Sequence, residues 1–252
     1  MRHFQSLLLL FAATVLTTTV CAQVINGDLN HNGDLDVDDI TLLINGYLTG
    51  EKEYFNGGSV NNGHEYVDLG LSVKWATMNV GANVPEEYGD YFAWGETEPK
   101  DYSDWETYKW CKGSYNTMTK YCTDSKYGTV DNKTVLELSD DAAHANWGGT
   151  WRMPTLDEIK ELRYYCSWEW ITQKGVEGHK VTGPNGNSIF LPAAGSRGDY
   201  GLNDAGSGGY YRSSSLYPGT DYYAYFLYFY SGGAGLYGSD RNSGRSVRAV
   251  CP

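Results

Sequence analysis

Thr155-Leu156-Asp157-Glu158-Ile159-Lys160-Glu161-Leu162-Arg163-Tyr164-Tyr165-Cys166 is the stretch whose reading decides the fold class. Thr155 followed three residues later by Glu158 forms a capping box, in which two orphan amides at a helix start are satisfied reciprocally. Leu156, Ile159, Leu162 and Cys166 then recur at helical spacing, so the segment predicts a helix with one apolar stripe. Around it the period changes. Tyr66-Val67-Asp68-Leu69, Val73-Lys74-Trp75-Ala76 and Ser246-Val247-Arg248-Ala249-Val250 are short alternating runs. His179-Lys180-Val181-Thr182 and Ser188-Ile189-Phe190-Leu191 flank Gly183-Pro184-Asn185-Gly186-Asn187 and read as a β-hairpin. The expected class is therefore α+β, mostly short strands with one clear helix. No repeat of solenoid length is visible.

Composition narrows the function. Among 252 residues stand 31 Gly, 22 Tyr, 8 Trp and 7 Phe, a globular balance that excludes collagen-like, coiled-coil and disordered classes. With 31 acids against 19 basic residues the net charge is −12, so the chain lacks the phosphate-neutralising cations that dominate nucleic-acid affinity. Nucleic acid is not an expected partner.

Residues 1–22 read as a secretory signal. Arg2 and His3 precede the apolar run Leu7-Leu8-Leu9-Leu10-Phe11-Ala12-Ala13-Thr14-Val15-Leu16, and Val20-Cys21-Ala22 supplies small residues for cleavage before Gln23. The run is too short to span a bilayer. A lipoprotein with Cys21 acylated is the competing reading, but Thr18-Thr19-Val20 is a poor lipid-attachment box. The expectation is secretion to the periplasm, cell surface or medium, without a transmembrane segment. Four cysteines follow the signal: Cys111, Cys122, Cys166 and Cys251. An even number in an oxidising compartment predicts disulfides, with Cys166 and Cys251 as the favoured long-range pair and Cys111 with Cys122 remaining.

Residues 23–50 carry five Asp and no Lys or Arg, which marks a separate unit. Asp28-Leu29-Asn30-His31-Asn32-Gly33-Asp34-Leu35-Asp36-Val37-Asp38-Asp39 fits a twelve-residue calcium loop. A hard cation takes six to eight oxygens, and alternating positions of a tight loop aim theirs inward. The expected ligands are Asp28, Asn30, Asn32, the Asp34 carbonyl, Asp36 through a water, and Asp39. Only Asp28, Asp36 and Asp39 bring side-chain charge, so affinity for Ca²⁺ should be modest. Ile40, Leu43, Ile44, Tyr47 and Leu48 form the stripe of an exiting helix. Residues 51–62, with Asn56-Gly57-Gly58 and Asn61-Asn62, read as a linker, and residues 63–252 as the large domain.

Asp at the twelfth loop position, and almost no room for an entering helix, make residues 26–48 resemble a single dockerin repeat more than a full EF-hand. The resemblance implies a possible cohesin-like partner and a link to secreted, often glycan-degrading proteins. Dockerin units usually come in pairs, and only one is present.

Five phrases of the large domain carry a second resemblance: Tyr66-Val67-Asp68-Leu69-Gly70-Leu71-Ser72-Val73-Lys74-Trp75-Ala76, Gly89-Asp90-Tyr91-Phe92-Ala93-Trp94-Gly95-Glu96, Trp147-Gly148-Gly149-Thr150-Trp151-Arg152-Met153-Pro154-Thr155, Gly209-Tyr210-Tyr211-Arg212-Ser213-Ser214-Ser215 and Ser246-Val247-Arg248. In this order they resemble the Fibrobacter succinogenes major paralogous domain. That family is similar to C-type-lectin-like and formylglycine-generating-enzyme folds, and the resemblance implies an exported or surface domain without a settled activity. Arg212 stands where the family commonly has Trp. Trp75, Trp94, Trp147 and Trp151 read as core residues, and Arg152 and Arg248 as partners of acids near the core.

No catalytic constellation is legible. His31, His64, His144 and His179 are scattered, no Gly-x-Ser-x-Gly elbow occurs, and acids this frequent make any glycosidase pair uninformative. The calcium-bridged sugar site of lectins is only shadowed by Gly183-Pro184-Asn185 and Leu202-Asn203-Asp204. Ten Tyr fall between Tyr200 and Tyr237 amid Ser, Gly, Asn and Asp, a composition shared with antibody paratopes. Residues 196–244 are thus the expected ligand surface for a glycan or surface protein, with Tyr210, Tyr211, Arg212, Tyr217, Tyr228 and Tyr237 as candidate contacts. Within it, Tyr225, Leu227 and Phe229 are expected to face the core. The leading expectation is a non-catalytic binding or adhesion protein. An enzyme or accessory of polysaccharide degradation, recruited through the dockerin-like unit, is the alternative, and a structural surface component a third.

Overall fold

Short antiparallel strands dominate the computed structural model, which describes residues 59–198 and 201–252. Residues 1–58, among them those read as a signal segment, a calcium loop and most of a linker, lie outside the described residues. The first hairpin pairs β1 (Ser59–Asn61) with β2 (His64–Val67). Its turn residues Asn62 and Gly63 both take positive φ, 47° and 83°, as a two-residue hairpin turn demands. Residues 59–62 therefore belong to this hairpin rather than to a linker. Asn and Gly serve a turn and a linker equally well, which is why composition misplaced the boundary.

β2 continues through β3 (Lys74–Ala76) to β13 (Val250–Cys251), so the two ends of the described chain share one sheet, in the order β1-β2-β3-β13. Between β3 and the first helix the chain consists mainly of turns, with one 3-10 turn at Leu138–Asp140. Asp141 caps α1 (Ala142–Trp147) by accepting from the His144 amide. The helix read from sequence is α2 (Leu156–Tyr165), with the capping box in place: Thr155 N–H donates to Glu158, and Glu158 N–H donates to the Thr155 hydroxyl. Arg152 grips the same Glu158 carboxylate through both terminal nitrogens, so one acid anchors the helix start twice.

Ile159 and Leu162 of α2 are fully buried in a core with Trp75, Tyr211, Leu227 and Phe229. Each such side chain contributes about 1.5–3 kcal/mol by leaving water. A second core gathers Trp94, Trp147 and Trp151 with Val247 and Cys251. The four Trp expected inside are all there, Trp75 included.

The hairpin read at residues 179–191 is β5 (Val176–Thr182) with β6 (Ser188–Pro192), extended outward by β4 (Ser167–Gln173). β7 (Ser196–Gly198) lies between β8 (Gly201–Asn203) and β12 (Gly244–Arg245). The longest strands form the remaining sheet: β9 (Gly208–Leu216), β10 (Tyr223–Tyr230) and β11 (Gly233–Asp240), with β10 in the centre. Of the run at residues 246–250 only Val250 is strand, because the others hydrogen-bond singly to several segments.

Three expectations are corrected. All four cysteines of the described residues are free thiols. Cys166 ends α2 beside one core while Cys251 is buried in the other, and Cys111 and Cys122 donate separately to the carbonyls of Trp105 and Asp124. Arg248 meets no acid: its guanidinium donates to the Asn79 side chain and to the carbonyls of Ala76 and Phe190. Tyr225 does not enter the core with Leu227 and Phe229. A bulge against β9, between Ala224 and Phe226, leaves it half-buried while Ala224 and Phe226 are buried.

Candidate ligand-binding site

Alternation along β9 and β10 separates two faces. Tyr211, Leu227 and Phe229 point to α2 and the core. Tyr210, Phe226, Tyr228 and Tyr230 take the other face, joined by Tyr237, which lies opposite Phe226 on β11. These rings form a continuous aromatic platform. Tyr210 is 4.7 Å from Tyr228 and 5.9 Å from Phe226 between centroids, Tyr228 is 5.8 Å from Tyr230, and Tyr237 is 6.0 Å from Phe226 and 6.1 Å from Tyr228. Tyr230 and Tyr237 are 47% and 53% exposed, with Tyr210 and Tyr228 half-buried between them.

Glycine explains why the rings lie flat. A Cβ at Gly235 would stand 2.8 Å from the Tyr237 ring, and one at Gly232 would stand 2.6 Å from that of Tyr230. Bare backbone at these positions lets each tyrosine recline on the strand instead of standing upright from it.

The inner end of the platform is closed by arginine. The Arg245 guanidinium lies 3.5 Å from the Phe226 ring centroid and 5.4 Å from that of Tyr210, and Arg245 is only 5% exposed. Cation–π contact of this kind is worth about 2 kcal/mol when desolvated. Arg212, 1% exposed, donates to the carbonyls of Asp240 at 2.8 Å, Arg241 at 3.2 Å and Ser243 at 2.7 Å, which fixes the turn after β11. Burial weakens the hold of both guanidiniums on a proton, pulling Arg212 down to about 9. At the outer end the Tyr210 hydroxyl donates to Asp204 at 2.7 Å, and burial with that carboxylate pushes its pKa up, so it stays a neutral hydroxyl.

Of the six residues expected to contact ligand, the structure brings together Tyr210, Tyr228 and Tyr237. It separates the other three. Tyr211 is 2% exposed on the core face, its hydroxyl bonded to the Pro192 carbonyl and pushed up to about 12 by burial. Arg212 serves the interior. Tyr217 packs with Tyr225 at 4.9 Å over Gly238, on the other face of the sheet. Phe226 and Tyr230, not among the six, join the platform as strand alternation with Tyr228 predicts.

Buried carboxylates have structural partners. Asp140 accepts from Lys120 and from Tyr121, Asp141 from the amides of His144 and Met153, and Asp221 from the Thr123 hydroxyl and two amides. Among the described residues no group of three His, Cys, Asp or Glu converges as a metal site, and no helix is long and apolar enough to cross a membrane. The expected Ca²⁺ ligands Asp28, Asn30, Asn32, Asp34, Asp36 and Asp39 lie outside the described residues. Comparison with protein families, with characterised proteins and with solved structures yields no match to this chain.

Proposed function

We propose that the chain is an exported, non-catalytic binding protein whose platform of Tyr210, Tyr228, Tyr230 and Tyr237 stacks against the sugar rings of a glycan. The observation that carries this reading is the platform itself: reclining, mutually packed, part-exposed tyrosines around Phe226. Tyrosine offers an apolar face and a hydroxyl at little entropic cost, which suits a ligand that alternates C–H faces and hydroxyls. The sequence resemblance to the major paralogous domain, and through it to a C-type-lectin-like arrangement, supports a surface-binding role. The dockerin-like residues 26–48 would hold Ca²⁺ and offer a site to a cohesin-like partner. Titrating the full chain with Ca²⁺ by calorimetry should give heat that Asp28→Ala abolishes.

A glycan array tests the main reading. The full chain should bind at least one glycan, and Tyr228→Ala combined with Tyr237→Ala should weaken that binding more than tenfold, the equivalent of about 1.4 kcal/mol. Array binding unaffected by the double substitution would remove the platform from the account.

A further inference from the structure

On the opposite face of β10 an open groove of about 490 Å³ runs between the start of α2 and the end of β9. Its volume falls within the range of small-molecule sites. Hydroxyls line it: Thr123, Thr134, Thr155 and Ser215, with Tyr225 providing the aromatic surface and Asp157 the single carboxylate. These hydroxyls are held in complementary states. Those of Thr155 and Ser215 accept from the amides of Glu158 and Leu156, which leaves the Ser215 O–H to donate, while the Thr155 hydroxyl also bonds the Glu158 carboxylate. That of Thr123 donates to Asp221 at 2.8 Å, which leaves its lone pairs to accept. Among the described residues nothing bonds the Thr134 hydroxyl, and Thr134 is exposed. Tyr225 is fixed by the Tyr217 ring, 4.9 Å away, which itself rests on Gly238. Val135, 47% exposed, gives the groove an apolar lip.

Fixed donors, fixed acceptors, one ring and no cation describe a site for an uncharged polyol. Asp157, already paired with Lys160 at 2.7 Å, would repel an acidic sugar, and nothing on the wall would neutralise a phosphate or sulfate. We infer that this groove holds a residue of a neutral saccharide, its hydroxyls on Thr123, Thr134, Thr155 and Ser215 and its C–H face on Tyr225. The site goes beyond the platform, lies on the other side of the sheet and does not depend on it.

The test titrates cellohexaose, xylohexaose and mannohexaose into the full chain carrying ¹³C-labelled threonine and valine methyls. At least one should shift the methyl signals of Thr123, Thr134, Thr155 and Val135 together. Tyr225→Ala should weaken that binding at least tenfold, and Tyr228→Ala should leave it unchanged. Thr134→Val, which keeps the side chain's shape and breaks no bond in the structure, should weaken it about threefold and guards against a folding defect in the first variant. The proposal is overturned if none of the three sugars moves those methyls at millimolar concentration, or if the shifts survive both Tyr225→Ala and Thr134→Val. Binding that leaves those methyls unmoved and is lost in Tyr228→Ala would overturn the groove and leave the platform standing.

Discussion

Replacing Arg241 by methionine sets two large effects against each other. Arg241 is fully buried, and its guanidinium donates to the Tyr108 hydroxyl at 2.9 Å and to the carbonyls of Asp221 at 2.9 Å, Tyr121 at 3.1 Å and Lys120 at 3.1 Å. It also faces the Trp94 ring at 4.8 Å. Methionine fills similar space and removes a desolvated charge, a change that by itself stabilises by roughly 1–4 kcal/mol. It also leaves three carbonyls without a partner, at about 1–3 kcal/mol each, while the Tyr108 hydroxyl keeps its bond to the Trp94 carbonyl. Three losses outweigh one relief, so Arg241→Met should destabilise by about 3 kcal/mol. For a domain of this size that lowers Tm by about 6–12 °C. Urea titration followed by tryptophan fluorescence, with a thermal scan by circular dichroism, reads both quantities. Arg197→Met, at a pair whose Asp101 partner is 96% exposed, should change stability by less than about 0.5 kcal/mol. A Tm for Arg241→Met equal to or above that of the parent would refute the reasoning, because desolvation would then have won. The variant also bears on the groove, since Arg241 ties Asp221, which holds Thr123, to the strand end after β11.

Other expectations follow from individual contacts. His179 is 3% exposed, packed by Trp168, Trp170 and Phe229, with Nε2 on the Tyr230 carbonyl and Nδ1 unpartnered, and burial lowers its pKa with Arg163 adding to the effect. A folded pKa below the unfolded value of 6.5 gives stability that is complete above that pH and lost as pH falls through the folded pKa. Tm should therefore drop below about pH 6.5, less steeply in His179→Gln. Thiol titration in urea of residues 23–252 should find four reactive thiols, and two would restore a disulfide. Thr155→Ala should cost about 1 kcal/mol in urea titration through loss of the α2 cap. Gly235→Ala should lift Tyr237 from the strand and weaken glycan binding without touching ligand, as array binding would show.

How much of this was legible in the sequence depended on whether the signal was local. The capping box at Thr155 and Glu158, the apolar stripe of α2 and the hairpin from β5 to β6 are set by neighbours in the chain, and each was read directly. The buried tryptophans were readable from size and hydrophobicity. Arg248 was misread because an arginine near a core suggests an acid as partner, whereas its guanidinium is taken up by Asn79 and by carbonyls from segments distant in sequence. Arg212, read as a ligand contact, turns inward and donates to backbone carbonyls after β11. Composition located the tyrosine-rich region but not its sides. Tyr210 and Tyr211 are adjacent, so strand alternation sends one to the platform and the other to the core. The bulge at Ala224 and Phe226, which redirects Tyr225, has no local signature. The groove brings α2 to the far end of β9, a long-range juxtaposition that spacing cannot reveal.

The central claim is that the tyrosines of one sheet face bind a glycan by virtue of where they lie. The most direct measurement compares two double variants on the glycan that the full chain binds best. Tyr228→Ala with Tyr237→Ala removes two platform rings, and Tyr115→Ala with Tyr164→Ala removes two rings, 48% and 67% exposed, that lie off the platform. The account predicts a loss of more than tenfold in affinity for the first pair and less than twofold for the second. Equal losses in both, or none in the first, would contradict it.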